Sequence, residues 1–201
     1  MSKTPTVLTL DETKRILNAI RYPKGPRSQT WTSYRNYMVT LFMLDTGLRV
    51  SEVIQLKRFM VWQNGVVVAA LSVPPEIAKL HRSRVIPLSA RLKEEIVFMN
   101  EYQWLNSPES STWYIFHTGR TTHHITARRV QQITCRAGLA TIGRRIWPHV
   151  FRHTFASRLM RVTNIRIVQE LLGHKNLTST QVYTHPNSQD LLNAINGMEK
   201  T

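Results

Sequence analysis

Residues 110–169 contain no aspartate or glutamate, yet they carry ten arginines: Arg120, Arg128, Arg129, Arg136, Arg144, Arg145, Arg152, Arg158, Arg161 and Arg166. A solvated protein face normally mixes both signs. A stretch of one sign is constrained to a fold that turns guanidinium groups toward a polyanion. Lysine is absent from the same residues, and arginine without lysine favours forked contacts to phosphate over diffuse attraction. The whole chain leans the same way, with 27 Lys+Arg against 12 Asp+Glu and a net charge of +15. A membrane surface fits less well, because no Lys/Arg-rich amphipathic helix is without other duties.

The 201 residues, 42% of them apolar, suffice for a sizeable core in one large domain or two small ones. No run of apolar residues is long enough to span a bilayer. The opening MSKTPTVLTLDETK lacks the apolar core of a signal peptide, so an intracellular protein is expected. The single Cys135 excludes an intrachain disulfide and a cysteine-based zinc cluster, and is expected to be a small buried hydrophobe.

Local signals then divide the chain. Thr9 and Glu12 form a capping box before a helix with Ile16, Leu17 and Ile20 inward. YPKGP (22–26) is a loop, and a second helix covers 31–45 with Tyr34, Met38, Leu41, Phe42 and Leu44 on its apolar face. Thr46-Gly47 ends it. Ser51 is expected to cap a short helix holding Val53, Ile54 and Leu56, which places Arg49 at the junction of two helices. Asn64-Gly65 centres a hairpin over 61–73, and 84–88 is a further strand. Between them runs the basic link KLHRSR (79–84). Helices follow over 89–104, with Leu92, Ile96, Val97 and Met99 inward, and over 126–136, with Arg128, Arg129 and Arg136 outward; 114–116 is expected to be a short strand and 139–145 a connection. Pro148 opens the next helix, and 165–172, 177–183 and an amphipathic tail at 189–199 complete the set. The expected fold class is α+β: mainly helical, with a small three-stranded antiparallel sheet, in one domain over 1–201.

The chemistry gathers at 148–185. His149 and Arg152, three residues apart, lie on one helical face and can address one ligand. Gly173 marks a helix end, so His174 begins a turn, and Tyr183 follows nine residues later. A phenol, two imidazoles and a guanidinium suit attack on a phosphodiester. Arg49 and Arg152 would bind the nonbridging oxygens. His149 would assist loss of the tyrosine proton, Lys79 would protonate the leaving 5′ oxygen, and His174 would donate to a nonbridging oxygen. A covalent 3′-phosphotyrosine conserves bond energy, so no cofactor or metal is expected. His149 and His153 have metal-ligand spacing, but no Glu follows His149 and Arg152 would repel a cation. His153 is expected to be buried support. His123-His124 reads as an exposed loop pair, and Trp147, Phe151 and Phe155 as core.

Four motifs resemble the catalytic domain of the tyrosine recombinases, the phage-integrase family. TGLRVSE is similar to that family's first-arginine box and gives Arg49, with Glu52 in support. AKLHRSRVIPL resembles its β-hairpin lysine segment and gives Lys79, with Arg82 and Lys57 the basic residues that could be confused with it. HVFRHTFAS gives His149 and Arg152, and LLGHKNLTSTQVYTH gives His174 and the nucleophile Tyr183. The resemblance runs over about 8–198 and keeps the family's order.

The resemblance implies the tyrosine-recombinase catalytic fold and site-specific cleavage and rejoining of DNA. It implies double-stranded DNA with an inverted-repeat site as partner, a homotetramer on that DNA, and accessory DNA-bending proteins. The family's N-terminal core-binding domain is not expected within this chain, as in an excised catalytic domain or a short single-domain member. The tail (186–201) is expected to dock on a neighbouring subunit or on its own domain. Arg82, Arg84, Arg128 and Arg129 are the expected DNA contacts, the last two to phosphates more than to bases. Two alternatives stay open: DNA relaxation in the manner of a type IB topoisomerase, and a DNA-binding regulator without catalysis.

Overall fold

Helix α2 (Trp31–Thr46) is buried at every residue from Ser33 to Thr46. A helix covered on all sides is the centre of a bundle. In the computed structural model, which describes residues 7–25, 27, 29–78, 82–104, 112–119, 122–173 and 188–198, helices α1 (Leu10–Arg21), α4 (Ala90–Met99), α5 (Ala127–Ile142) and α6 (Pro148–Val162) pack around it. Tyr34, Met38, Leu41, Phe42 and Leu44 are all fully buried. The expected apolar face is real, and the polar residues beside it are buried as well.

The expected capping box starts α1: Glu12 N donates to Thr9 Oγ1 at 3.1 Å, and Thr9 N donates to Glu12 Oε2 at 2.9 Å. Thr30 and Ser33 repeat the arrangement at α2. The short α3 (Val50–Val53) is capped differently from expectation. Arg49, not Ser51, is the N-cap residue, and the Glu52 carboxylate accepts from Arg49 N at 2.9 Å. The carboxylate answers the orphan amide, so the serine hydroxyl is not needed.

The sheet also differs. β1 (Trp62–Gln63) and β2 (Val66–Val67) flank Asn64-Gly65, both at positive φ as a tight hairpin turn requires. β3 (Ala70–Val73) pairs antiparallel with β4 (Arg84–Pro87), Ala70 opposite Pro87 and Val73 opposite Arg84. These are two two-stranded ladders, not one three-stranded sheet. The chain leaves extended pairing at 68–69, so β3 finds its partner in β4 and not in the hairpin. The expected strand at 114–116 is only a bridge from Tyr114 to Lys57, with a second from His117 to His124.

Helix α5 runs six residues past its expected end (136 to 142) and stops at Gly143. Gly138 does not break it, because that glycine serves packing: a Cβ there would lie 2.5 Å from Ile146 Cγ1. Helix α4 continues into one π-helical turn at Asn100–Trp104, so the expected helical length is kept. Helices α7 (Ile165–Leu172) and α8 (Ser188–Met198) close the fold. The apolar face of α8 buries Ala194, Ile195 and Met198 against α6, α7 and β4 of its own chain. The helix expected at 177–183 lies outside the described residues. No described helix is long and apolar enough to cross a membrane.

Candidate active site

Four chain segments meet where α2 and α7 end. Gly47 closes α2 at φ 64, a left-handed conformation that favours glycine. Space demands glycine there too: a Cβ would sit 2.5 Å from Phe155 Cδ1 and 2.9 Å from Leu172 Cδ2. This close approach lets Arg152, on α6, reach both helix ends. Its Nη1 donates to Gly47 O at 2.6 Å and its Nη2 to Leu172 O at 2.8 Å. Two terminal carbonyls that α2 and α7 leave unsatisfied thus fix the plane of one guanidinium.

Glu52 is the second anchor, with a fully buried side chain. Its Oε1 accepts from Arg49 Nη1 at 3.1 Å, and its Oε2 accepts from Arg84 Nη2 at 2.7 Å. Burial alone would raise the Glu52 pKa; the Arg84 hydrogen bond and charge, helped by Arg49, hold it below the ordinary carboxylate value. Arg152 moves the other way. Burial, then the positive charges of Arg49 and Arg84, push its pKa down to about 10, partly opposed by Glu52. Three guanidinium groups around one carboxylate leave an excess of positive charge, and Arg49 keeps 17% of its side chain exposed. A partly exposed cationic cluster held by fixed partners is suited to a phosphate oxyanion.

The expected residues fall into three groups. Arg49, Glu52 and Arg152 come together as described. His149 is exposed in the first turn of α6, behind Pro148 at its first position. Lys79, His174 and Tyr183 lie outside the described residues. Arg82 is exposed just before β4, and Arg128 and Arg129 are exposed on the first turn of α5.

Several expectations are corrected. Arg84, expected as a DNA contact, is buried: its side chain is 4% exposed and committed to Glu52 and to Leu171 O, 3.1 Å from its Nε. The sequence held a signal, since Arg84 and Ile86 are two apart on β4 and share its buried face, with Val85 exposed between them. His153 is exposed and not buried support; its partial desolvation and the nearby His149 and Arg152 lower its pKa. Trp147 is not core but 50% exposed, while Phe151 and Phe155 are fully buried. It is the N-cap residue of α6, and that position lies outside the helical face. Cys135 and His124 are half-buried, and His124 Nδ1 lies 2.8 Å from Ile125 O. Among the described arginines of this stretch, Arg144 pairs with Glu12 at 2.8 Å and Arg158 donates to Thr13 Oγ1 at 2.8 Å, so both serve the fold.

Guanidinium groups from two helix junctions thus meet around one buried carboxylate at the ends of α2 and α7. The profile described as "Phage integrase family" matches residues 6–190. The chain is 35% identical over 169 residues to a tyrosine recombinase of Pseudothermotoga lettingae, covering 81% of this chain and 53% of that one. It is 34% identical over 182 residues to tyrosine recombinase XerA of Thermococcus kodakarensis, covering 90% and 58%. In fold it is similar to the integrase of mycobacterium phage Brujita, at TM-score 0.70 and 23% identity over 98% of this chain and 59% of that one. It is also similar to a crystal structure of XerA recombinase, at TM-score 0.69 and 24% identity over 95% and 64%. The chain spans a little over half the length of the curated relatives it matches. It belongs to the phage integrase family and has the tyrosine-recombinase catalytic fold.

Proposed function

We propose that this chain is the catalytic part of a site-specific DNA recombinase, which cleaves and rejoins DNA through a covalent 3′-phosphotyrosine at Tyr183. The observation that carries this reading is the convergence of Arg49 and Arg152, fixed by Glu52 and by the Gly47 and Leu172 carbonyls. A phosphodiester resists an anionic nucleophile, and charge grows on its nonbridging oxygens as the phosphorane forms. Donors held in place beforehand stabilise that charge without reorganising. Arg152, with a pKa of about 10, stays protonated at neutral pH.

The phenolate oxygen of Tyr183 attacks phosphorus, and the bond to the 5′ oxygen breaks. His149 assists departure of the phenol proton, Lys79 supplies a proton to the leaving oxygen, and His174 donates to a nonbridging oxygen. The free 5′ hydroxyl of another strand reverses the step, so bond energy is conserved. The partner is double-stranded DNA with inverted repeats; four subunits hold two such segments, with DNA-bending proteins in support. XerH, a relative in fold, has been crystallised on its difH substrate, which supports the choice of DNA. The site of action is intracellular.

A pool of nicked duplexes with randomised arms tests the reading. Cleavage next to the nick releases a short fragment and traps the protein on DNA. Wild-type protein is expected to give a covalent band whose DNA converges on an inverted repeat, and Tyr183→Phe none. A wild-type protein that binds the pool tightly yet forms no adduct would sink the proposal. Relaxation of supercoils with no recombinant product would assign topoisomerase activity instead.

A further inference from the structure

Arg84 sits where three parts of the site would otherwise be independent. It lies on β4, the strand that follows the basic link. Its Nη2 donates to Glu52 Oε2 at 2.7 Å, and Glu52 Oε1 in turn holds Arg49 Nη1 at 3.1 Å. Its Nε donates to Leu171 O at 3.1 Å, one residue before the Leu172 carbonyl that holds Arg152. Its side chain also passes over Gly173, where a Cβ would lie 3.2 Å from Arg84 Cδ. Gly173 closes α7 at φ 65 and leads directly into His174. The Arg84 contacts to Glu52 and to Leu171 O are buried, and the Arg49–Glu52 contact is part-buried.

We propose that Arg84 is a positioning residue for DNA cleavage: through Glu52 it sets the Arg49 guanidinium, and through the end of α7 it sets the Leu172 carbonyl that holds Arg152, without touching DNA. The geometry of the fork is essential. A guanidinium can serve a carboxylate and a carbonyl on two edges at once, whereas an ammonium is a point charge. Lysine at this position keeps the charge and loses the geometry. Removing the carboxylate leaves Arg84 and Arg49 as two unbridged cations.

The inference rests on the recombinase reading, and the experiment separates the two. The substrate is the nicked duplex recovered by covalent capture with wild-type protein; if wild type captures none, the recombinase reading itself fails. With that duplex, Arg84→Lys and Glu52→Gln are each expected to slow single-turnover cleavage about 10²-fold, the scale of an ångström of misplacement. DNA affinity is expected to stay within about twofold, because neither side chain meets the backbone that supplies affinity. The double variant is expected to be no slower than the slower single, since both act through one network. Circular dichroism and thermal melting, run alongside, restrict the comparison to folded protein.

A 5′-bridging phosphorothiolate supplies the discriminating arm. Its thiol leaving group departs without a general acid. If Arg84 acts through Arg49 and α7, the variants stay slow on this substrate. Recovery of wild-type rate would place Arg84 with the leaving-group proton and overturn the assignment. Wild-type cleavage by folded Arg84→Lys, or a loss of DNA affinity matching the loss of rate, would overturn it equally.

Discussion

Glu52 is fully buried, and burial alone would keep its carboxyl protonated to higher pH than in water. Arg84 and Arg49 reverse that and hold its pKa below the ordinary 4.5. The sign of the consequence follows. Near pH 4.5 and just below, the folded chain binds fewer protons than the unfolded one, so stability is fully present above about 4.5 and is lost as pH falls through the folded value. Glu12, lowered by Thr9 N–H and Arg144 against its own desolvation, acts in the same window. His117 acts higher. It is 3% exposed, and burial, then Arg35, push its pKa below the ordinary 6.5. It is kept neutral in the fold, so its share of stability is present above about 6.5 and erodes as pH falls. Urea midpoints measured against pH are expected to decline in two stages. His117→Gln should flatten the stage that begins near 6.5, where His153 also acts, and Glu52→Gln should flatten the stage below 4.5. An unchanged profile in both variants would refute the account.

Elements carry the site only as well as they are capped. Asn164 Oδ1 accepts from Arg166 N at 3.0 Å and from Ile167 N at 3.1 Å, which fixes the start of α7. The other end of α7 supplies the Leu171 and Leu172 carbonyls to Arg84 and Arg152. Asn164→Ala is expected to lower stability by about 1 kcal/mol, and Asn164→Asp to keep it, as the N-terminal end of a helix favours an acid. Urea melts check both, and cleavage by Asn164→Ala should slow while its DNA affinity holds. At this scale much was legible from sequence. The Thr9 box, the Gly47 and Gly173 stops and the Pro148 start are signals whose cause is local, and each marks an observed boundary. What escaped depends on tertiary partners. Nothing near Arg84 says that Glu52, distant in sequence, will claim it. Gly138 mimics a break because the packing of Ile146 is invisible from 139–145. Strand pairing failed for the same reason, since β3 chooses β4 by tertiary position. Arg49, Glu52 and Arg152 come together at one place, and their boxes are read as units in the sequence; Lys79, His174 and Tyr183 rest on the sequence.

For the whole molecule, the number of basic residues overstates what DNA meets. The 27 Lys+Arg of the sequence include arginines that the fold has already used: Arg84 is buried on Glu52, Arg158 is bound to Thr13, and Arg144 is paired with Glu12. Arg82, Arg128, Arg129 and Arg145 remain exposed, and Arg128 and Arg145 line one groove with Gln131, Gln132 and Trp147 between α5 and the start of α6. Binding that releases counterions from DNA phosphates weakens as a power of salt concentration, and each phosphate contact adds close to one to the exponent. Arg128→Ala is therefore expected to weaken binding to every sequence alike and to reduce that exponent by about 1, as for a phosphate contact. Arg144→Ala is expected to leave the exponent unchanged and to lower the urea midpoint, since its charge already faces Glu12. Fluorescence anisotropy between about 50 and 200 mM salt, with the captured duplex and a scrambled one, reads both. If Arg128→Ala kept the exponent but erased the preference for the captured duplex, Arg128 would be reading a base edge, and α5 would be lying in the major groove with its glutamines beside it.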